Sequence, residues 1–364
     1  HVGAGGGLAM GIAHIYLLEL LMAAVIARFC ERCEALNFGR MLLLAGWLNL
    51  LGLTAMAASS AGGAGGLGGL PLYVGGHMTY VLGSMVRDVV FPALATCFPV
   101  AEISRLSAFK RALVHVGALA GGTLIAMDML RTYIFAQMIG MALSLWALTR
   151  VLPHLRGLDL APATRPDRPA VRGGFALLVA ARFFTSVGVV STSGAVMLGL
   201  LRSRLPGGDV GAARAMAGNS VVGHAAGLVA NLAIGWWKPC FGSVHLLGSS
   251  CLYVTAMASY SVVSSVPQYL LATMALRGAR TVAKAASDAI ALRAAKELRA
   301  RKSAALVSRR IAFKCGQLAG KYSLVPLLSA AVDAGSFHAI FGLGAVASIV
   351  AAGLHVPASV RQER

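Results

Sequence analysis

Acidic residues are scarce in this chain: 13 Asp and Glu stand among 364 residues, and charged residues of both signs make up 12%. So small a charged fraction excludes an ordinary soluble domain, where about a quarter of residues are charged. Cysteine is sparse and scattered (Cys30, Cys33, Cys97, Cys240, Cys251, Cys315). Several of the six lie inside apolar runs, where Cys behaves as a small hydrophobe, so no disulfide framework is indicated. Short segments of alternating hydrophobicity are missing, which excludes a closed β-barrel. There is no HExxH and no GxSxG, which removes those hydrolase classes. A cleavable leader is not expected either, because the first apolar stretch is long and has no basic start.

What is present is apolar and basic. Hydrophobic residues make up 57% of the chain, mean hydropathy is +0.75, and 32 Lys and Arg give a formal charge of +19. A charge of that size on a polar surface would suggest a nucleic-acid partner. Here the cations sit in short gaps between long apolar runs, so membrane topology accounts for them and no nucleic acid is expected. A bilayer core takes about 20 mostly apolar residues per helix. On that template the sequence predicts eleven spans. Five lie near residues 4–27, 41–60, 72–98, 112–130 and 132–149. Six follow near 174–201, 215–236, 243–264, 267–288, 311–332 and 334–356.

Alternate gaps differ sharply in charge. One set (28–40, 99–111, 150–173, Lys238, 293–310 and the tail) holds 21 of the 32 cations. The other holds only Arg131, Arg202, Arg204 and Arg214. An asymmetry that alternates without a break predicts that the basic gaps and the C-terminus are cytosolic. The longest polar gap, 150–173, contains Pro162, Pro166 and Pro169 and reads as a linker. It divides the chain into a bundle of five spans (1–149) and one of six (174–364). The halves echo each other. Phe38-Gly39 opens the second span as Phe241-Gly242 opens the eighth, and Gly117-Ala118-Leu119-Ala120-Gly121 returns as Gly316-Gln317-Leu318-Ala319-Gly320. Both matches sit about 200 residues apart, as expected of the internal repeats from which many transporters are built.

This pattern resembles the major facilitator superfamily with its first helix missing. That family has two six-helix bundles, a long cytosolic loop between them and both termini in the cytosol. The resemblance extends to its loop signature, Gly-x-x-x-Asp-Arg-x-Gly-Arg. Glu31-Arg32 stands where the Asp-Arg pair would be and Gly39-Arg40 where Gly-Arg would be. The leading Gly is replaced by Ala27 and the intervening segment is longer. Arg105-Leu106-Ser107-Ala108 resembles the Arg-x-x-Ala of the next cytosolic loop. Gly117–Gly122 resembles the fifth-helix glycine motif, with Gly122 in place of the Pro of antiporters. The resemblance implies an all-α polytopic membrane protein with about eleven visible helices, second to twelfth of twelve, and one further span upstream of His1. It also implies a secondary-active transporter of a small solute, working by alternating access, with a non-transporting receptor or interaction protein of the same fold as the alternative. No enzyme activity, cofactor or metal is implied.

Ionisable residues within spans are costly and mark function or pairing. Arg182, Arg277 and Lys321 fall deep in their spans. Arg277, Arg280, Lys284 and Asp288, spaced i, i+3, i+7 and i+11, share one helix face. That stripe either lines the path or forms a salt-bridge network at the cytosolic rim, where Asp288 is spaced to pair with Lys284. Arg182, Arg277, Arg280 and Lys321 are therefore candidate substrate-binding residues. The excess of deep cations points to an anionic solute. Glu19, Arg87, Asp88 and Asp128 are candidates for a charge cluster or for coupling to H+. A cytosolic gate is expected from Arg28, Glu31, Arg32, Arg40, Arg105, Lys284, Asp288 and Lys314. Gly63–Gly68 spells GxGxxG without a preceding strand and reads as a flexible loop. Cys30 and Cys33 form a lone CxxC, too few ligands for a structural zinc site. His14, His77, His115 and His224 lie in spans, where interhelical hydrogen bonds are expected of them.

Overall fold

Long runs of Leu, Ala, Val and Met can satisfy every backbone polar group in lipid only by coiling into helices. The computed structural model describes residues 38–61, 69–95, 100–126, 130–155, 169–205, 208–237, 243–297 and 302–363, together with Leu17, Leu20, Leu21 and Val25. The described residues are almost entirely helical and contain no strand. In chain order the helices are α1 (Phe38–Ala61), α2 (Gly69–Ala95), α3 (Val100–Ala126), α4 (Leu130–Leu155), α5 (Pro169–Val190), α6 (Gly194–Arg204), α7 (Gly208–Trp237), α8 (Ser243–Ser261), α9 (Val266–Glu297), α10 (Lys302–Ala334) and α11 (His338–Glu363).

Three helical stretches among the described residues are apolar and long enough to cross a bilayer on length and composition alone: Gly39–Ser59, Gly173–Arg204 and His338–Pro357. The other long helices are diluted by Gly, Ser, Tyr and ionisable side chains. Two differences from the sequence expectation stand out. The span expected at 174–201 is broken at Ser191–Ser193 into α5 and α6, where Ser191 and Thr192 hydroxyls donate to the carbonyls of Gly188 and Val189. The basic gaps expected at 99–111 and 293–310 are largely helical, because Lys and Arg are good helix formers and do not terminate a helix.

The helices pack as two bundles. In the first, α1 lies along α2 and against α4, and α3 touches α4. Small residues bring α1 and α2 together: a Cβ on Gly76 would stand 2.9 Å from both Ala55 Cβ and Gly52 O. Such close backbone approach is the usual basis of helix association in membranes. In the second bundle α5 packs on α10 and α11, α8 on α9 and α11, and α7 on α9. Here α5 is clamped by glycines of two neighbours. A Cβ on Gly316 of α10 would collide with Ser186 Oγ and the Phe183 carbonyl, and one on Gly344 of α11 would collide with Ser191 Oγ. An aromatic core of Tyr260, Tyr269, Phe337 and Phe341 fills the end of this bundle where α6 lies. In the first bundle Gly121 packs against the Tyr133 ring, while Gly117 faces open space, so close packing explains Gly316 and Gly320 better than their upstream echo.

The surface is inverted relative to a water-soluble protein. Trp47, Leu113, Trp146, Val229 and Leu271 are exposed, while Arg and Lys side chains point into a cavity between the bundles. So much outward apolar surface suits a lipid surrounding.

Candidate functional site

The bundles meet mainly through α3 with α7 and α9, and through α2 with α10. The described contacts between them lie from mid-helix toward the end where α2 and α9 finish and α3 and α10 begin, here called the basic end. Val307 of α10 joins Met41, Met85, Val86 and Val90 of α1 and α2. Ala108 of α3 packs with Ile234, Leu246 and Ala286. The Phe109 ring covers Gly235, with Arg105 stacked over that ring at 5.7 Å.

Between the bundles lies a cavity of about 460 Å³. Its walls carry nine cations (Arg87, Lys110, Arg111, Arg182, Arg277, Arg280, Lys284, Arg309 and Arg310) and two carboxylates, Asp88 and Asp288. Seven of the nine fall into two groups. Toward the basic end, Arg111 of α3 is ion-paired with Asp288 of α9, which also takes Arg309 Nη1 of α10 at 2.9 Å. Arg310 Nη2 meets Asp88 Oδ2 of α2 at 2.7 Å. Two of these three pairs join one bundle to the other. Deeper in, Arg182, Arg277, Arg280 and Lys284, all from α5 and α9, form no salt bridge among the described residues. Arg182 lies instead over the Phe313 ring, 4.4 Å from its centre, a cation–π contact that holds the guanidinium without neutralising it. Lys284 is exposed to the cavity.

Histidines make two further connections. His115 of α3 and His224 of α7 approach at 3.1 Å between Nδ1 atoms, so one ring donates and the other accepts. Two glycines of α7 make room at this seam. The His115 ring lies against Gly227, and Arg277 Cγ would stand 3.1 Å from a Cβ on Gly223. At the other connection Arg309 Nη2 donates to Ser287 Oγ at 2.8 Å, Ser287 lies 2.9 Å from His355 Nε2, and His355 Nδ1 lies 2.7 Å from the Ala351 carbonyl. In the neutral ring Nδ1 must donate to that carbonyl, so Nε2 accepts from Ser287. This network forms part of the wall of a second, smaller pocket of about 80 Å³ inside the second bundle, which shares Arg182, Arg280 and Lys284 with the main cavity.

Of the residues singled out in the sequence, Arg182, Arg277, Arg280, Arg87, Asp88, Lys284 and Asp288 therefore line one cavity. Asp288 is paired with Arg111 and Arg309, where the local spacing had suggested Lys284. Lys321 is half-buried in α10, away from both pockets, and Lys314 is buried in the same helix, likewise off their walls. Arg40 is exposed near the start of α1. Glu19, Arg28, Glu31, Arg32 and Asp128 lie outside the described residues, as do Cys30, Cys33, His14 and Gly63–Gly68. Sequence reasoning did not single out Lys110, Arg111, Arg309, Arg310, Ser287 or His355 for the site. The i, i+4 spacing of Arg111 with His115 and of Arg309 with Phe313 was the available signal. Among the described residues no group of three metal-ligating side chains occurs.

Two helical bundles, apolar outside and enclosing a polar cavity between them, define a polytopic helical membrane protein. The fold is that of the major facilitator superfamily. The chain superposes on the fucose:proton symporter FucP of E. coli with a TM-score of 0.66 at 11% identity, covering 98% of this chain and 93% of that one. For a bacterial homologue of the iron transporter ferroportin, in its outward-facing state, the TM-score is 0.67 at 16% identity, with 99% and 90% covered. For the human organic anion transporter MFSD10 it is 0.66 at 13% identity, with 96% and 85% covered. No protein-family model matches the sequence, and no curated protein matches it in sequence.

Proposed function

We propose that the chain is a secondary-active transporter that carries a small organic anion across the bilayer by alternating access. The observation that carries this reading is the group of four cations, Arg182, Arg277, Arg280 and Lys284, without salt bridges among the described residues and facing one cavity. Unneutralised cations away from water are costly, and an anionic solute offsets that cost on binding. The similarity of fold to a human organic anion transporter accords with it.

In this reading residues 1–149 and 174–364 form the two rocking units, joined by a cytosolic linker at 150–173. The basic end and the C-terminus face the cytosol, a reading that the 21 to 4 distribution of loop cations supports. The pairs Arg111–Asp288 and Asp88–Arg310 then form the cytosolic gate, with Arg309 braced on Asp288 and Arg87 beside Asp88. The cavity opens to the opposite face, and parting of these pairs releases the solute inward. The coupling ion is H+, as in the E. coli fucose symporter of similar fold, with Glu19 and Asp128 as the carboxylates proposed to carry it.

Counterflow in proteoliposomes with mono- and dicarboxylates, phosphate, sulfate and a neutral sugar tests the assignment. Anion counterflow is expected to fall at least about tenfold in Arg182→Ala and Arg277→Ala, the loss of one charge-assisted contact. Lys321→Ala, off the cavity wall, serves as the unaffected control. Flux unchanged in both arginine variants, or flux of the sugar alone, overturns the anion reading. Anion binding without any flux favours the receptor alternative.

A further inference from the structure

The pocket of about 80 Å³ lies wholly within the second bundle, walled by all of its longer helices except α7. It is joined to the main cavity by Arg182, Arg280 and Lys284, which line both. The void exists because small side chains (Ala283, Ser250, Ser348, Ala351 and Ala352) meet where larger ones would fill the space. Of its hydroxyls, all but that of Ser250 are already engaged. Thr185 donates to the Ala181 carbonyl, Tyr253 to that of Gly188 and Ser348 to that of Gly344, while Ser287 sits between Arg309 and His355. A ligand entering this pocket therefore finds few free hydrogen-bonding partners. It meets apolar wall from Val189, Leu246, Phe313, Ala351 and Ala352.

Resting on the anion reading above, we infer that the solute is amphipathic. Its acid group binds Arg182, Arg280 and Lys284 at the mouth of this pocket, and a short apolar tail fills the pocket behind them. Cations at the neck, and hydroxyls within that are engaged except at Ser250, leave a fully polar anion little to gain from the inner space. A cavity of about 150 Å³ admits benzene, so about half that volume takes a tail of about three carbons. A short-chain or branched carboxylate has this shape, whereas inorganic phosphate and sulfate lack the tail.

Binding of acetate, propionate, butyrate, pentanoate, hexanoate and octanoate to the purified full-length chain, with phosphate alongside, tests this inference. Affinity is expected to rise about fourfold per methylene, the factor for burying one CH₂, to a maximum near butyrate or pentanoate. Ala283→Val, which narrows the pocket, is expected to move that maximum to a shorter acid. Leu246→Ala, which enlarges it, is expected to move the maximum to a longer one. Two substitutions of opposite sign keep the test decisive should one of them fail to fold. Equal affinity along the series, with binding still lost in Arg280→Ala, overturns the inner-pocket inference and leaves the anion reading standing. Binding of none of these anions overturns both.

Discussion

The two groups of cations in the cavity carry the same charge and sit in different company. Arg111, Arg309 and Arg310 each have a carboxylate partner, and the pairs involving Arg111 and Arg310 tie one bundle to the other. Arg182, Arg277, Arg280 and Lys284 come from the second bundle alone, and the described ion pairs leave them aside. A cation given an internal carboxylate is a fastener, because its charge is already paired within the protein. One left facing a cavity without such a partner is a place for something that comes and goes. The division runs along single helices: on α9, Asp288 serves as partner to the first group and Lys284, one turn away, belongs to the second.

The largest effect on binding is expected from removal of a deep cation. Arg280→Ala is expected to weaken anion binding by about 10- to 100-fold, the range for a lost hydrogen bond to a charged group, while leaving the melting temperature close to that of the parent. A melting temperature that fell as far as the affinity would place Arg280 with the fasteners. Stability is expected to suffer most from Asp288→Asn, which leaves Arg111 and Arg309 without their carboxylate in a largely buried setting. A loss of about 3–5 kcal/mol in stability is expected, read as a lower melting temperature. Ala108, 1% exposed at the seam between the bundles, supplies a second readout. A cysteine placed there should react faster with a maleimide when Asp288 is neutralised, and an unchanged rate would remove Asp288 from the gate. The smallest effect is expected from Asp88→Asn. Its pair with Arg310 is about 29% exposed on both sides, which limits its worth to below about 1 kcal/mol. A loss comparable to that of Asp288→Asn would mean that the two gate pairs act as one unit.

The positions of the helices were largely legible, because apolar length and the alternation of basic gaps are read along the chain. The stripe Arg277, Arg280, Lys284 and Asp288 was legible for the same reason, since helical spacing alone puts it on one face. Its partners were not. Arg111 and Asp288 are 177 residues apart, and no local period encodes a contact made by docking two bundles. Local spacing favoured Lys284 for Asp288, whereas docking presents it with Arg111 and Arg309 instead. The break at Ser191–Ser193 also escaped the sequence, because hydroxyls that turn back onto their own helix carbonyls look like ordinary polar residues within an apolar run. Lys321 shows the converse. Depth in a span says that a charge is costly, and only the packing of α10 says which way it points.

The glycines that grip α5 have a consequence for how force travels through the molecule. With Ser186 wedged at Gly316 and Ser191 at Gly344, α5 can neither slide nor roll against α10 and α11 without a backbone collision. Arg182 is thereby welded to the frame that also carries Arg309 and Arg310. A pull on Arg182 from a bound molecule is borne by that whole frame, as a load on one spoke is borne by the wheel. The yielding joints are then the ones held by Asp88 and Asp288.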